Sequence, residues 1–156
     1  MSDDYRKTIE RAVTDYIKKQ TRPRRKNLAP ERDVNLELKN EFDNLGWFMQ
    51  RFESKAKNIN GVWRESGIKS GTPDWGGVTE QGYACWVESK APGRLSTVSV
   101  EQGEFLSKVI LRGGFGIVCD GPERLKSIYF RWLDLNGDDR KKYLFDQLPN
   151  RVRSDC

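Results

Sequence analysis

The sequence predicts an α/β domain with a mixed central sheet flanked by helices, and three observations carry that expectation. An amphipathic helical stretch opens at Pro30, ahead of the strand-like segments. Residues Tyr83 to Ala91 alternate with a period of two, and a helical pattern from Ser99 to Leu111 and the apolar run GFGIVC follow them. Strand, helix and strand in that order imply a parallel pair joined by a right-handed crossover. A chain of 156 residues is long enough for one such domain and short for two.

From the N-terminus, Tyr5, Ile9, Ala12, Val13, Tyr16 and Ile17 recur at spacings of three and four, with Ser2 or Asp3 as N-cap, which predicts an extra amphipathic helix. The segment KKQTRPRRK, Lys18 to Lys26, follows with six basic residues and no acid, and Pro23 breaks any helix there. It reads either as a solvated linker or as an arm contacting phosphates, with Arg22, Arg24, Arg25 and Lys26 as its candidate contacts. The helix from Pro30 runs to Leu45, stopped by Gly46, with the stripe Val34, Leu38, Phe42 and Leu45. Glu31 precedes Val34 by three and Leu38 by seven, so it is expected on the stripe's own side; an acid there also complements the helix macrodipole.

Residues 46 to 72 are mixed, and Trp47, Phe48, Phe52 and Trp63 suggest short strands or a packed loop. A strand from Asp74 to Thr79, a turn at Glu80 to Gly82 and the strand Tyr83 to Ala91 come next. In the second strand Glu88, Lys90 and Trp86 share one face, while Cys85, Val87 and Ser89 share the other. The helix from Ser99 has Gln102 at N3, a capping-box pattern, and ends at Gly113 and Gly114. A strand around Ile128 to Leu133 and a last helix near Asp138 to Leu148 complete the reading. Trp47, Trp63 and Trp132 are expected in the core or against a partner.

Lys and Arg number 28 against 23 Asp and Glu, a net charge of +5 that favours a polyanionic partner, nucleic acid ahead of a membrane surface. No apolar run reaches the roughly 18 residues of a spanning helix, and MSDDYRK lacks a signal peptide's layout, so a soluble, intracellular, cytoplasmic protein is expected. Cys85, Cys119 and Cys156 have neither disulfide-framework nor zinc-site spacing and are expected as reduced thiols. The chain has no histidine, which excludes Ser-His-Asp and Cys-His hydrolases, HNH-type nucleases and H-E-x-x-H zinc enzymes. Any chemistry must come from carboxylates and lysine.

One constellation fits that restriction. Asp74 is followed, after a spacer of 13 residues, by Glu88, Ser89 and Lys90 on the adjacent strand. Two carboxylates on neighbouring strands repel unless a cation joins them, and Mg²⁺ takes one or two carboxylates with waters and phosphate oxygens. Lys90 can then position water or hold developing negative charge. By itself E-x-K on a strand is also an ordinary cross-strand charge pair. Its context adds Pro73 before the first strand, flanking glycines, a basic turn containing Arg94, and Gln102 in the next helix.

These pieces together resemble the PD-(D/E)xK nuclease superfamily, and within it the virus-type replication-repair nuclease (VRR-NUC) branch. The resemblance covers residues 30 to 121, about three-fifths of the chain: a helix with a leading acid ending in Leu45-Gly46, G-x-P-D at Gly71 to Asp74, V-E-x-K at Val87 to Lys90, Gly93 to Ser96, Gln102 with Phe105, and Gly116 to Cys119. It implies a restriction-endonuclease-like fold, with residues 1 to 29 as N-terminal helix and basic linker, 30 to 121 as nuclease core and 122 to 156 as a C-terminal extension packed on it. It implies Asp74, Glu88 and the Ser89 backbone carbonyl as ligands of Mg²⁺ or Mn²⁺, Lys90 as catalytic lysine, Glu31 as supporting acid and Gln102 as an active-site polar group. Arg94 joins the basic arm as a candidate DNA contact. Two departures stand out: a serine at the middle of E-x-K, where an apolar residue is usual, and Glu41 as a competitor for Glu31. Stand-alone members of this branch are typically phage-encoded and cut branched DNA such as four-way junctions, often as homodimers. The remaining alternatives are a sequence-specific restriction-like or homing endonuclease and a non-catalytic nucleic-acid binder.

Overall fold

A computed structural model describes residues 31–53, 57–64 and 67–149. The segment expected to form an N-terminal helix, the basic arm and Cys156 lie outside these residues. Helix α1, Glu31–Asn44, buries Val34, Asn35, Leu38 and Phe42. It stops where Gly46 turns the chain with φ of +71°, a conformation that costs glycine little.

The central sheet has four strands in the order β1 (Phe48–Arg51), β4 (Trp75–Val78), β5 (Ala84–Ser89) and β6 (Phe115–Cys119). The first two pairings are antiparallel, from Phe48↔Val78 to Arg51↔Trp75 and from Trp75↔Val87 to Val78↔Ala84. The third is parallel, from Cys85↔Phe115 to Ser89↔Cys119. Helix α2, Val100–Leu111, makes the crossover between β5 and β6. Its start is set by a capping box, in which Ser99 Oγ accepts from the Gln102 N–H and the Gln102 side chain accepts from the Ser99 N–H. Such caps contribute about 1 kcal/mol.

Strand alternation gives the sheet two faces. Trp75, Val87 and Phe115 look toward α1 and toward helix α3, Pro122–Leu133: Trp75 meets Phe42 edge-on at 5.3 Å and Phe115 meets Tyr129 at 5.0 Å between ring centroids. Trp86 and Gly116 look toward α2, where Trp86 meets Phe105 at 4.7 Å. Gly76, opposite Trp86, is required by close approach, because a Cβ there would overlap the indole ring.

Between β1 and β4 a separate hairpin, β2 (Lys57–Ile59) and β3 (Val62–Arg64), turns at Asn60 and Gly61, both with positive φ, as a two-residue primed turn demands. Its Trp63 is 71% exposed and does not join the core, unlike Trp47 and Trp132. The exclusion is positional, since the ribbon forms a sheet of its own and makes no extensive contact with a described helix.

The strand expected at Ile128 to Leu133 is instead the second half of α3. Its residues have strong β propensity, a preference spanning about 1 kcal/mol. Leu125, Ile128, Tyr129 and Trp132 fall at i, i+3, i+4 and i+7, so a helix buries all four, each contributing roughly 1.5–3 kcal/mol. Burial wins, and Pro122 at the start of the helix fits its first turn. Helix α4, Gly137–Gln147, adds Leu144 to the core. No helix of the described residues is long and apolar enough to cross a membrane. Cys85 and Cys119 are free and buried, and burial pushes both thiols up, Cys119 to about 11.

Candidate active site

Asp74 sits one residue before β4, and extending the β4–β5 register places it opposite Glu88. The two are tied directly: the Asp74 N–H donates to Glu88 Oε2 at 3.2 Å. The Ser89 N–H donates to Asp74 Oδ2 at 3.0 Å, and the Ser89 hydroxyl lies 2.5 Å from the same oxygen. Pro73 has a structural consequence here. The Lys90 N–H bonds to Cys119 on β6, so the Ser89 N–H and C=O point toward β4, where Pro73 stands opposite and has no N–H to donate. The ladder therefore supplies the Ser89 carbonyl with no donor from that position.

Glu88 is only 1% exposed. Lys90 Nζ donates to its Oε1 at 2.6 Å, and Gln102 Nε2 donates to the same oxygen at 2.7 Å. The orientation of the Gln102 amide follows from the cap, because its Oε1 accepts the Ser99 N–H at 2.9 Å and its NH₂ must then face Glu88. Gln102 is thus at once the N3 residue of a capping box and a neighbour of the carboxylates. Burial first, and the charge of Asp74 second, push the Glu88 carboxyl up to about 7, against the lowering influence of Lys90. Trp86, on the same face, stacks against Phe52 at 5.4 Å.

The other expected residues are placed differently. Glu31 is exposed at the first turn of α1 rather than turned inward. At a helix terminus its backbone carbonyl, not its carboxylate, makes the inward contact, accepting from Asn35 Nδ2 at 3.0 Å. Glu41 does not compete for the site: it lies toward the other end of α1, with Lys126 Nζ of α3 at 3.8 Å. Arg94 is exposed in the turn after β5. Arg22, Arg24, Arg25 and Lys26 lie outside the described residues.

One residue of this cluster escapes the sequence reading. Asn35, 2% exposed, accepts from Trp75 Nε1 at 2.7 Å and from Ser89 Oγ at 2.8 Å. The signal was present, since Asn35 falls between Glu31 and Leu38 on the apolar stripe, and a polar side chain there needs partners.

The donor set suits a hard divalent cation. It offers oxygens only: the Asp74 and Glu88 carboxylates and the Ser89 carbonyl, which is what Mg²⁺ or Mn²⁺ prefers. Burial first and the neighbouring Asp74 second raise the Glu88 carboxyl despite the Lys90 ammonium beside it. Among the described residues no group of three or more His, Cys, Asp and Glu side chains is placed to hold a metal. Two carboxylates with waters and phosphate oxygens form a sufficient Mg²⁺ site. Comparisons with protein-family models, with curated proteins and with solved structures find no match to this chain.

Proposed function

We propose that the protein is a Mg²⁺- or Mn²⁺-dependent DNA endonuclease of the PD-(D/E)xK type, with a restriction-endonuclease-like core. The observation that carries this reading is the convergence of the Asp74 N–H, the Lys90 ammonium and the Gln102 amide on the buried carboxylate of Glu88. A solvated charge pair needs no buried acid and no glutamine held by a helix cap. The mixed four-stranded sheet is compatible with the same reading.

Asp74, Glu88 and the Ser89 carbonyl are the groups that would hold the cation. When bound, the metal lowers the pKa of a coordinated water and neutralises charge building on the phosphate. Gln102 fixes the Glu88 carboxylate through Oε1. Lys90, whose ammonium lies beside Glu88, donates to the attacking water or to the developing oxyanion, where a fixed donor in a partly dry site has most effect. No step calls for a histidine. Glu31 is exposed at the first turn of α1, and its carboxylate takes no part in the buried cluster. The basic arm and Arg94 supply phosphate contacts that carry no base information. Branched DNA is the proposed substrate, and a homodimer would supply the two sites that symmetric cutting of a four-way junction requires.

Purified protein incubated with a synthetic four-way junction and with its linear arms, in Mg²⁺, Mn²⁺ or EDTA, tests the proposal. Metal-dependent cutting concentrated at the branch supports it. Cutting at one sequence in linear duplex points to a restriction-like or homing enzyme, and binding without cleavage to a non-catalytic DNA binder.

A further inference from the structure

We propose that Asn35 and Ser89 are positioning residues that tie helix α1 to Asp74 and fix which of its carboxylate oxygens faces a divalent cation. The inference rests on the metal-site reading above and concerns two side chains given no part in it. Both are buried, Ser89 fully. Buried polar side chains persist in a core where their bonds are satisfied, and these form one chain. Asn35 Nδ2 donates to the Glu31 carbonyl at 3.0 Å, which orients the amide so that Oδ1 faces the sheet. That oxygen accepts from Trp75 Nε1 at 2.7 Å and meets Ser89 Oγ at 2.8 Å. Ser89 Oγ in turn lies 2.5 Å from Asp74 Oδ2, which also takes the Ser89 N–H at 3.0 Å.

The hydroxyl has one proton and two acceptors in reach, so Asn35 and Asp74 share it and the serine is held between them. Asp74 Oδ2 is thereby satisfied by the protein, whereas Oδ1 takes no hydrogen bond from the described residues. A carboxylate anchored through one oxygen presents the other in a fixed direction. This also accounts for a serine at the middle of E-x-K, since an apolar residue could pack on α1 but could not reach both Asn35 and Asp74.

The test is Mn²⁺ binding by calorimetry to EDTA-stripped, dialysed full-length protein, comparing wild type, Ser89→Ala, Asn35→Ala and the double variant, with thermal unfolding of each. Ser89→Ala keeps the backbone carbonyl and N–H and removes only the hydroxyl. It should weaken Mn²⁺ by about tenfold or more, the usual effect of losing a group that orients a ligand, while unfolding cooperatively close to wild type. Metal titrations of DNA cleavage should show the half-saturating Mn²⁺ concentration rising by the same factor, with the rate at saturation within about threefold of wild type. The double variant should match Ser89→Ala, because both residues act through one path. Asn35→Ala also leaves the Trp75 N–H without its partner; if that variant does not fold, Ser89→Ala alone decides. A folded Ser89→Ala protein that binds Mn²⁺ within twofold of wild type overturns the positioning role and leaves the nuclease reading standing. Wild type that binds Mn²⁺, loses it on Ser89→Ala and cuts no DNA overturns the nuclease reading alone. Wild type that binds no Mn²⁺ overturns both.

Discussion

Replacing Glu88 by glutamine should flatten the pH dependence of stability in the metal-free protein. Glu88 is 1% exposed and its carboxyl is raised from 4.5 to about 7, chiefly by burial and then by Asp74. A raised acid holds its proton more tightly when folded than when unfolded. Between pH 4.5 and 7 the native state therefore binds more protons, and stability falls as pH rises through that window. At about 1.4 kcal/mol for each pH unit, the gap between 4.5 and about 7 corresponds to roughly 3 kcal/mol of stability present at low pH and absent above neutrality. In a domain of this size that is roughly 6–12 °C in Tm. The single amide oxygen of Glu88→Gln can replace either Oε1, which accepts from Lys90 and Gln102, or Oε2, which accepts from the Asp74 N–H, but not both. The variant has nothing to titrate there, so it should lose this slope. Urea unfolding in EDTA at pH 5, 6, 7 and 8 measures it. Equal slopes for wild type and Glu88→Gln would refute the account of a buried acid whose charge awaits a cation.

Three further outcomes are expected. Lys90→Ala should lower cleavage by about 10²- to 10³-fold, the cost of removing a fixed charge-stabilising donor, while calorimetry still detects Mn²⁺ binding. Gly76→Ala should destabilise by about 1–3 kcal/mol in urea unfolding, because the new Cβ overlaps the Trp86 ring across the β4–β5 pair. Neutralising Arg22, Arg24, Arg25 and Lys26 should flatten log K against log salt by up to about 4 for duplex DNA, weakening junction and duplex alike. An unchanged slope from fluorescence anisotropy makes the arm a plain linker.

In the sheet, β5 was legible from its alternation and β6 from an apolar run bounded by turn residues, whereas β1 lay in the mixed stretch 46 to 72. The Tyr83 to Ala91 pattern separates Trp86 and Glu88 from Cys85, Val87 and Ser89, and the two sets face different helices. Helix α2 was legible from local chemistry, since Ser99 and Gln102 write the capping box into four residues. The second half of α3 was not: Ile128, Tyr129, Phe130 and Trp132 are strand formers by propensity, and only the pattern reaching back to Leu125 betrays the helix. Of the two places expected for Trp63, core or partner contact, the structure excludes the core. Hydrophobicity says what a side chain prefers, whereas the Asn60-Gly61 turn decides that it sits on a ribbon apart from the core. For Asn35 the local stripe signals only that a polar side chain is buried; its partners lie 40 and 54 residues away in sequence, and no local pattern names them.

The most direct measurement is nicking of supercoiled plasmid by wild type and by Asp74→Ala, each with Mn²⁺ and with EDTA. Asp74 is the less buried of the two clustered acids and, among the described residues, its side chain takes bonds from Ser89 alone, so alanine there leaves the core in place. The account predicts nicking by wild type in Mn²⁺, none in EDTA, and none by a folded Asp74→Ala protein that still binds DNA. Nicking by Asp74→Ala within a few-fold of wild type, or by wild type in EDTA, would contradict it.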